Sequence, residues 1–280
     1  MDHNRQDKIA VINDFSGFGR CSIAVALPII SAMGVQCCPL PTAVFSNHTG
    51  FERYYWTDFT DHMEAYARQW ENLDLHFRGI ATGFLGSVRQ IDIVSRFLER
   101  FDRPETVVLV DPVMGDNGAL YPTYTPELAA EMGRLVSYAD ILTPNLTEAC
   151  ALTGTEYRPM FPEEELLEMC RTLSARGPEK VVISGLDFGD TLGNFIYETE
   201  QPPQMLKVPK VGACRSGTGD VFAAILIADA VNGGAFPDSV RKAATFLSHA
   251  LERTDALGTP PTDGIAFEGL LGELIPSGDM

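Results

Sequence analysis

Basic residues are scarce. Lys and Arg number 21 against 38 Asp and Glu, a formal charge of −17 over 280 residues. Generic binding to a phosphate backbone needs the opposite sign, so no nucleic-acid partner is expected. Cysteine is sparse as well: six residues, with Cys37 and Cys38 adjacent and Cys21, Cys150, Cys170 and Cys214 scattered. There is no C-x-x-C pair, which excludes a disulfide framework and favours idle thiols in a reducing compartment. Long apolar runs are missing too. The longest, Val221–Ala228 and Ala24–Ile30, fall far short of a bilayer span. The polar Met1–Asp7 runs straight into an apolar strand and is no signal peptide. A cytoplasmic protein with no membrane partner is expected.

Several signatures are absent. No Gly-Lys dipeptide occurs, so there is no Walker A loop; no G-x-S-x-G elbow supports a serine hydrolase; no H-E-x-x-H or Cys/His cluster supports a zinc enzyme. An anionic substrate remains open, because main-chain amides and a metal can hold phosphates within an acidic shell.

Hydrophobic residues make up 45% and aromatics 9%, an ordinary globular composition. Continuous apolar runs at Lys8–Ile12, Val35–Leu40, Phe77–Ala81, Thr106–Val110, Asp140–Leu142 and Lys180–Ser184 predict parallel strands buried on both faces. Helices are predicted between them, over Ser22–Met33, Asp61–Asn72, Val88–Phe101, Pro126–Ser137, Pro144–Leu152 and Glu163–Ala175. That alternation predicts an open, doubly wound α/β sheet. Thr191–Glu198 and Met205–Val208 read as an antiparallel pair, and Phe51–Asp58 as an edge strand or a flap. Helical segments over Asp220–Val231, Pro237–Arg253 and after Asp263 close the chain. No linker or repeat divides it, so one domain over residues 1–280 is expected.

Ligands of such sheets bind beyond the carboxyl ends of the strands. The first strand leads into Asn13-Asp14-Phe15-Ser16-Gly17-Phe18-Gly19-Arg20-Cys21-Ser22, which imitates G-x-G-x-x-G with Ser22 in the third glycine's place. The acidic residue that a dinucleotide site needs is missing, since the second strand carries Gln36, Cys37 and Cys38. A tight strand-to-helix turn is the simpler reading. Ser46-Asn47-His48-Thr49-Gly50 offers short donors suited to a small polar ring, or an ordinary turn. Asp111 and Asp116 lie five apart on one loop and could approach a hard cation. Thr143 is predicted as an N-cap and Pro144 as the first helical residue, with Asn145 and Glu148 on one face of the first turns. Gly217-Thr218-Gly219-Asp220 opens an apolar helix. Its glycines and helix amides would form an anion hole, with Asp220 as a base at its mouth or merely a cap.

Together the S-G-F-G turn, S-N-H-T-G (Ser46–Gly50), D-P-V-M-G-D (Asp111–Asp116), T-P-N-L-T-E (Thr143–Glu148) and G-T-G-D (Gly217–Asp220) resemble the pyridoxal kinases of the ribokinase-like superfamily, over Lys8 to about Leu251. The resemblance implies a three-layer α/β/α fold with a mostly parallel central sheet and an antiparallel edge. It implies ATP-dependent phosphorylation of the 5′-hydroxymethyl group of a vitamin B6 vitamer. Asp220 would be the base, and the amides of Gly217, Thr218 and Gly219 the phosphoryl cradle. Asn13, Ser46, His48, Thr49 and Phe84 would face the pyridine ring. Asp111, Asp116 and Glu148 would organise Mg²⁺. Thr143, Asn145 and Ser184, ending its strand, would lie near the nucleotide. A homodimer and a response to K⁺ are further implications. The chain departs from the family pattern at Asn13, where Ser is usual, and at Phe84, where Tyr is usual. Two alternatives stay open: a hydroxymethylpyrimidine kinase, and a non-catalytic vitamer-binding module.

Overall fold

In strand β1 (Lys8–Ser16), Ile9 and Val11 face one side and Ala10 and Ile12 the other, and none of the four is more than 3% exposed. A strand buried on both faces needs helices on both. The computed structural model, which describes residues 2–121, 124–213 and 215–276, supplies them. Helices α1 (Ile23–Ala32), α7 (Thr218–Val231) and α8 (Phe236–Leu257) cover one face. On the other lie α2 (Thr60–Asn72), α3 (Val88–Phe101), α4 (Pro126–Met132), α5 (Leu146–Thr153) and α6 (Glu163–Ser174).

The remaining strands of the main sheet are β2 (Gln36–Phe45), β3 (Trp56–Asp58), β4 (Gly79–Thr82) and β5 (Val107–Val110), then β8 (Ile141–Leu142), β9 (Lys180–Asp187), β10 (Thr191–Glu198) and β11 (Gln204–Pro209). A separate hairpin joins β6 (Gly115–Asp116) to β7 (Ala119–Leu120). The order across the sheet is β11-β10-β9-β8-β5-β4-β1-β2-β3. The run from β9 to β2 is parallel, and antiparallel strands close both edges. This is the three-layer fold expected, with Trp56–Asp58 as the second edge.

Several boundaries differ from the predicted ones, each for a physical reason. Strand β1 continues through Asn13 and Asp14 to Ser16, because its register with β2 slips between Asn13 and Phe15. Such a bulge turns consecutive side chains away from strict alternation, and Asn13 and Asp14 are both buried. Strand β2 runs past Leu40 despite Pro39 and Pro41. Strand β3 pairs only with Ala43–Phe45, so the prolines need donate nothing on that side. Helix α4 gives way at Gly133 to a 3₁₀ turn over Gly133–Tyr138, and the segment after Asp263 forms a 3₁₀ helix over Glu268–Leu274. Helix α5 begins at Leu146 with Asn145 as its N-cap, so neither the Thr143 cap nor a helical Pro144 survives. Cys214 lies outside the described residues.

Helix α7 is apolar all round because it packs against α1 and α8 as well as β4 and β5. On the opposite face, Phe77 is fully buried among Trp70, Phe97 and Phe101, with ring centroids 5.3, 6.2 and 5.4 Å away. Truncating it to Phe77→Ala should cost about 3–5 kcal/mol of unfolding free energy, the usual range for a buried aromatic. Urea titration measures this, and a loss below about 1 kcal/mol would show that the cluster repacks freely.

Candidate active site

The chain leaves β1 for β2 on one side and returns to β4 on the other, so the strand order reverses at β1. A crevice at the carboxyl ends of the strands is expected at such a reversal. Loops following β1, β2 and β4 gather on one side of it, and loops following β5, β8 and β9 on the other. The amino end of α7 lies between them. A small cavity there has Asn13, Thr82, Asp111 and Asp220 as its polar lining.

Asn13 joins the ends of β1 and β4 to the amino end of α7. Its Oδ1 accepts hydrogen bonds from the amides of Asp14 and Phe84, both at 2.9 Å. Two N–H donors on one atom fix that atom as the oxygen, so Nδ2 must face the other way. It donates to Asp220 Oδ1 at 3.2 Å. This approach requires Gly83, where a Cβ would lie 2.4 Å from Asn13 Nδ2. Asn13 therefore commits both ends of its amide to protein partners, Nδ2 to Asp220 and Oδ1 to the Asp14 and Phe84 amides.

Asp220 is the third residue of α7, after the left-handed Gly217 that caps the helix. The helix thus starts two residues before the predicted Asp220. The amides of its first turn lack intrahelical partners, and a helix amino end of this kind can hold an anion. Burial lifts the Asp220 pKa, while the Ser22 amide and the Asn13 side chain pull it back. A carboxylate with a raised pKa beside an anion hole is suited to receive a proton.

Two features here are absent from the sequence reading. Asp14 is a second buried carboxylate, accepting from Ser22 Oγ at 2.5 Å and Ser16 Oγ at 3.2 Å. Burial, together with repulsion from Asp220, pushes its pKa up to about 6. Ser22 has φ 54°, a left-handed conformation unusual for a non-glycine residue and here pinned by Asp14. The other feature is the β6–β7 hairpin. Its Asn117-Gly118 turn has positive φ at both residues, and that dipeptide is a strong hairpin signal.

The loop after β2 commits its polar atoms within the loop and to the stretch after α8. Ser46 Oγ donates to Asn47 Oδ1 at 2.7 Å and accepts from the Tyr55 amide at 2.9 Å. His48 Nε2–H donates to the Thr262 carbonyl at 2.7 Å, and its Nδ1 accepts from the Gly50 amide at 3.1 Å. Both imidazole nitrogens are committed. Thr49 is exposed at the loop tip, and Phe84 is half-buried against Phe45 and Tyr124.

On the opposite side, Asp111 and Glu148 are close neighbours. Burial raises the Asp111 pKa first, and the charges of Glu148 and Asp220 raise it further. Glu148 completes a capping box. Its carboxylate accepts from the amides of Met114 at 3.0 Å and Asn145 at 2.9 Å, while Asn145 Oδ1 accepts from the Glu148 amide. Burial still pushes Glu148 up to about 8. Asp116 bonds the Asn117 amide at the hairpin tip. Ser184 lies inside β9 rather than at its end, but its bridge to Asn145 marks where parallel pairing stops. Among the described residues, the hydroxyls of Thr82 and Thr143 are buried without a partner, and no three His, Cys, Asp or Glu side chains converge as a metal cage. Buried carboxylates beside unpartnered hydroxyls nonetheless suit a hard cation that takes its other ligands from phosphates.

The buried Asp14 generates a pH dependence. Its proton is held more tightly in the folded state than in the unfolded one, so the folded state loses relative stability as pH rises between about 4 and 6. The unfolding free energy of Asp14→Asn minus that of the wild type should therefore rise by about 2 kcal/mol from pH 4 to pH 7. Denaturant titrations across that range test this, and a flat difference would remove Asp14 from the set of strained acids.

Comparisons with known proteins fit this geometry. The family model for phosphomethylpyrimidine kinase matches residues 23–262. A pyridoxal kinase of Arabidopsis thaliana is 31% identical over 240 residues, covering 80% of this chain and 73% of the relative. A crystal structure from Bacteroides thetaiotaomicron, provisionally assigned as a phosphomethylpyrimidine kinase and solved with pyridoxal, superposes with a TM-score of 0.94 at 37% identity, covering 99% and 98% of the two chains. Pyridoxal kinase from Lactobacillus plantarum gives 0.87 at 28% identity, with 96% of each chain covered. The chain belongs to the phosphomethylpyrimidine kinase family and has the ribokinase-like fold of the pyridoxal kinases.

Proposed function

We propose that this chain is an ATP-dependent vitamin B6 kinase that phosphorylates the 5′-hydroxymethyl group of pyridoxal, pyridoxamine or pyridoxine. The observation that carries this reading is Asp220, held by Asn13 at the amino end of α7 between a ring-side and a nucleotide-side set of loops. Asp220 takes the proton of the vitamer hydroxyl. The amides of Gly217, Thr218 and Gly219 hold the migrating phosphoryl group, whose transfer needs mainly alignment and charge neutralisation. Phe84, Thr49 and the loop braced by Ser46 and His48 shape the ring side. Thr143, Asn145 and Ser184 border the nucleotide.

Asp111 would hold Mg²⁺, with Glu148 and Asp116 shaping the surrounding hairpin and helix end. The ion supplies charge neutralisation on the nucleotide phosphates. A role for K⁺, a homodimer and a cytoplasmic location belong to the same reading.

The family model carries the name of a pyrimidine kinase, so hydroxymethylpyrimidine is the second candidate substrate. The pyridoxal in the 37%-identical Bacteroides structure and the pyridoxal kinases among the relatives favour the B6 ring.

Measuring Mg-ATP consumption with each vitamer and with hydroxymethylpyrimidine decides between them, and a strong preference for the pyrimidine would overturn the B6 reading. Asp220→Asn should lower kcat by about a hundredfold or more while vitamer binding stays largely intact. Turnover near the wild-type value would return Asp220 to a structural role.

A further inference from the structure

Three of the loops described above are far apart in sequence, yet each is tied to the same short stretch after α8. The stretch is Thr259-Pro260-Pro261-Thr262-Asp263-Gly264. From the loop preceding Gly217, Arg215 Nη1 donates to the Thr259 carbonyl at 2.9 Å and the Pro260 carbonyl at 3.1 Å. From the loop after β2, His48 Nε2 donates to the Thr262 carbonyl. From the turn after β1, the Arg20 amide and its Nη1 donate to the Asp263 carbonyl at 3.2 and 3.1 Å, and Arg20 bridges Gly264 in parallel.

The loops also touch one another. A Cβ on Gly217 would lie 2.1 Å from the Arg20 carbonyl oxygen, so the anion-hole loop rests directly on the turn.

The receiving stretch is stiff. Two consecutive prolines restrict its backbone, and Pro261–Asp263 forms a 3₁₀ turn. Its far end is bolted to the core, where buried Thr254 Oγ1 donates to the Ala250 carbonyl and accepts from the Ala266 amide, and Ile265, Ala266 and Phe267 are buried. Arg215 itself is only 8% exposed. Its guanidinium points at these carbonyls and, through Nη2, at Asp255 Oδ1 3.3 Å away.

We propose that Thr259–Gly264 is a positioning clip that sets the anion-hole loop, the ring-side loop and the turn at Arg20 in mutual register, with Arg215 as the positioning residue that fastens the anion-hole loop to it. This rests on the kinase reading of Asp220 and its neighbouring amides, and extends it to residues that touch neither substrate. Releasing Arg215 lets the phosphoryl-binding amides drift relative to Asp220. The ring-side loop opens more often as the clip loosens but keeps its own tie through His48 in the closed state, so vitamer affinity changes less than turnover.

The test compares the wild type with Arg215→Gln and Arg215→Lys in the full-length chain, using steady-state kinetics with Mg-ATP and pyridoxal. Arg215→Gln should lower kcat by at least about tenfold and change the pyridoxal KM by less than about threefold, and Arg215→Lys should recover part of the loss. Amide hydrogen exchange of the same proteins needs no turnover. In Arg215→Gln, exchange should quicken at residues 216–219 and also, through the clip, at 17–22 and 46–50. Pro261→Gly, which keeps every donor and loosens the acceptors, should reproduce both effects if Arg215→Gln fails to fold. Unchanged kcat, or faster exchange confined to residues 213–219, would overturn the clip. A wild type inactive on every vitamer would overturn the kinase reading alone, and the exchange result would still decide the clip.

Discussion

The side chain of Asn13 is the constraint from which the rest of the crevice follows. It sits at the bulge that ends regular pairing in β1, reaches across to the Phe84 amide after β4, and presents its Nδ2 to Asp220. One amide group thereby joins two neighbouring strands and a helix terminus at the place where strand order reverses. A buried amide satisfied at both ends is rigid, because breaking either bond leaves a polar group in a dry environment. The carboxylate it holds is consequently preoriented.

Acidic groups are concentrated around that point to an unusual degree. Asp14, Asp111, Glu148 and Asp220 all have pKa values raised from those of free carboxylates, in each case with burial as the leading cause. Titratable groups shifted in this way cluster at functional sites. Their mutual repulsion is strain stored in the folded chain, and hydroxyls and amides from Ser22, Met114 and Asn145 offset it only in part. A cation on the nucleotide side is the natural counter-charge. The acidic composition of the whole chain therefore does not oppose binding of an anionic substrate, because main-chain amides and a metal can hold phosphates within an acidic shell.

Much of this was legible in advance. The six parallel strands were visible as continuous apolar runs, and helix α7 as an apolar run following two glycines. Of the segments singled out after the strands, those holding Asn13, Asp111 and Asp220 line one small cavity. Roles within them were less legible. His48 and Ser46 were expected to face a ligand; Ser46 braces its own loop, and His48 also ties that loop to Thr262. Asn145 and Glu148 were expected to serve a nucleotide and a metal, with capping as the competing reading, and they form a capping box whose sequence signature, Asn followed three residues on by Glu, was present. The Asn117-Gly118 hairpin was signalled equally plainly. Asp14 carried no signal, since a carboxylate beside a strand end is ordinarily solvated and only the bulge buries it.

The sequence by itself determined which segments become strands and helices, because hydrophobic periodicity and glycine placement act locally. It also determined that a glycine-flanked acid opens an apolar helix. Only the tertiary structure decided that Asn13 would hold that acid, and that Arg215, His48 and Arg20 would converge on one stretch after α8. Those bonds end mostly on main-chain carbonyls or span scores to hundreds of residues. A carbonyl is the same group in every residue type, so nothing in the sequence marks the ones that will be used.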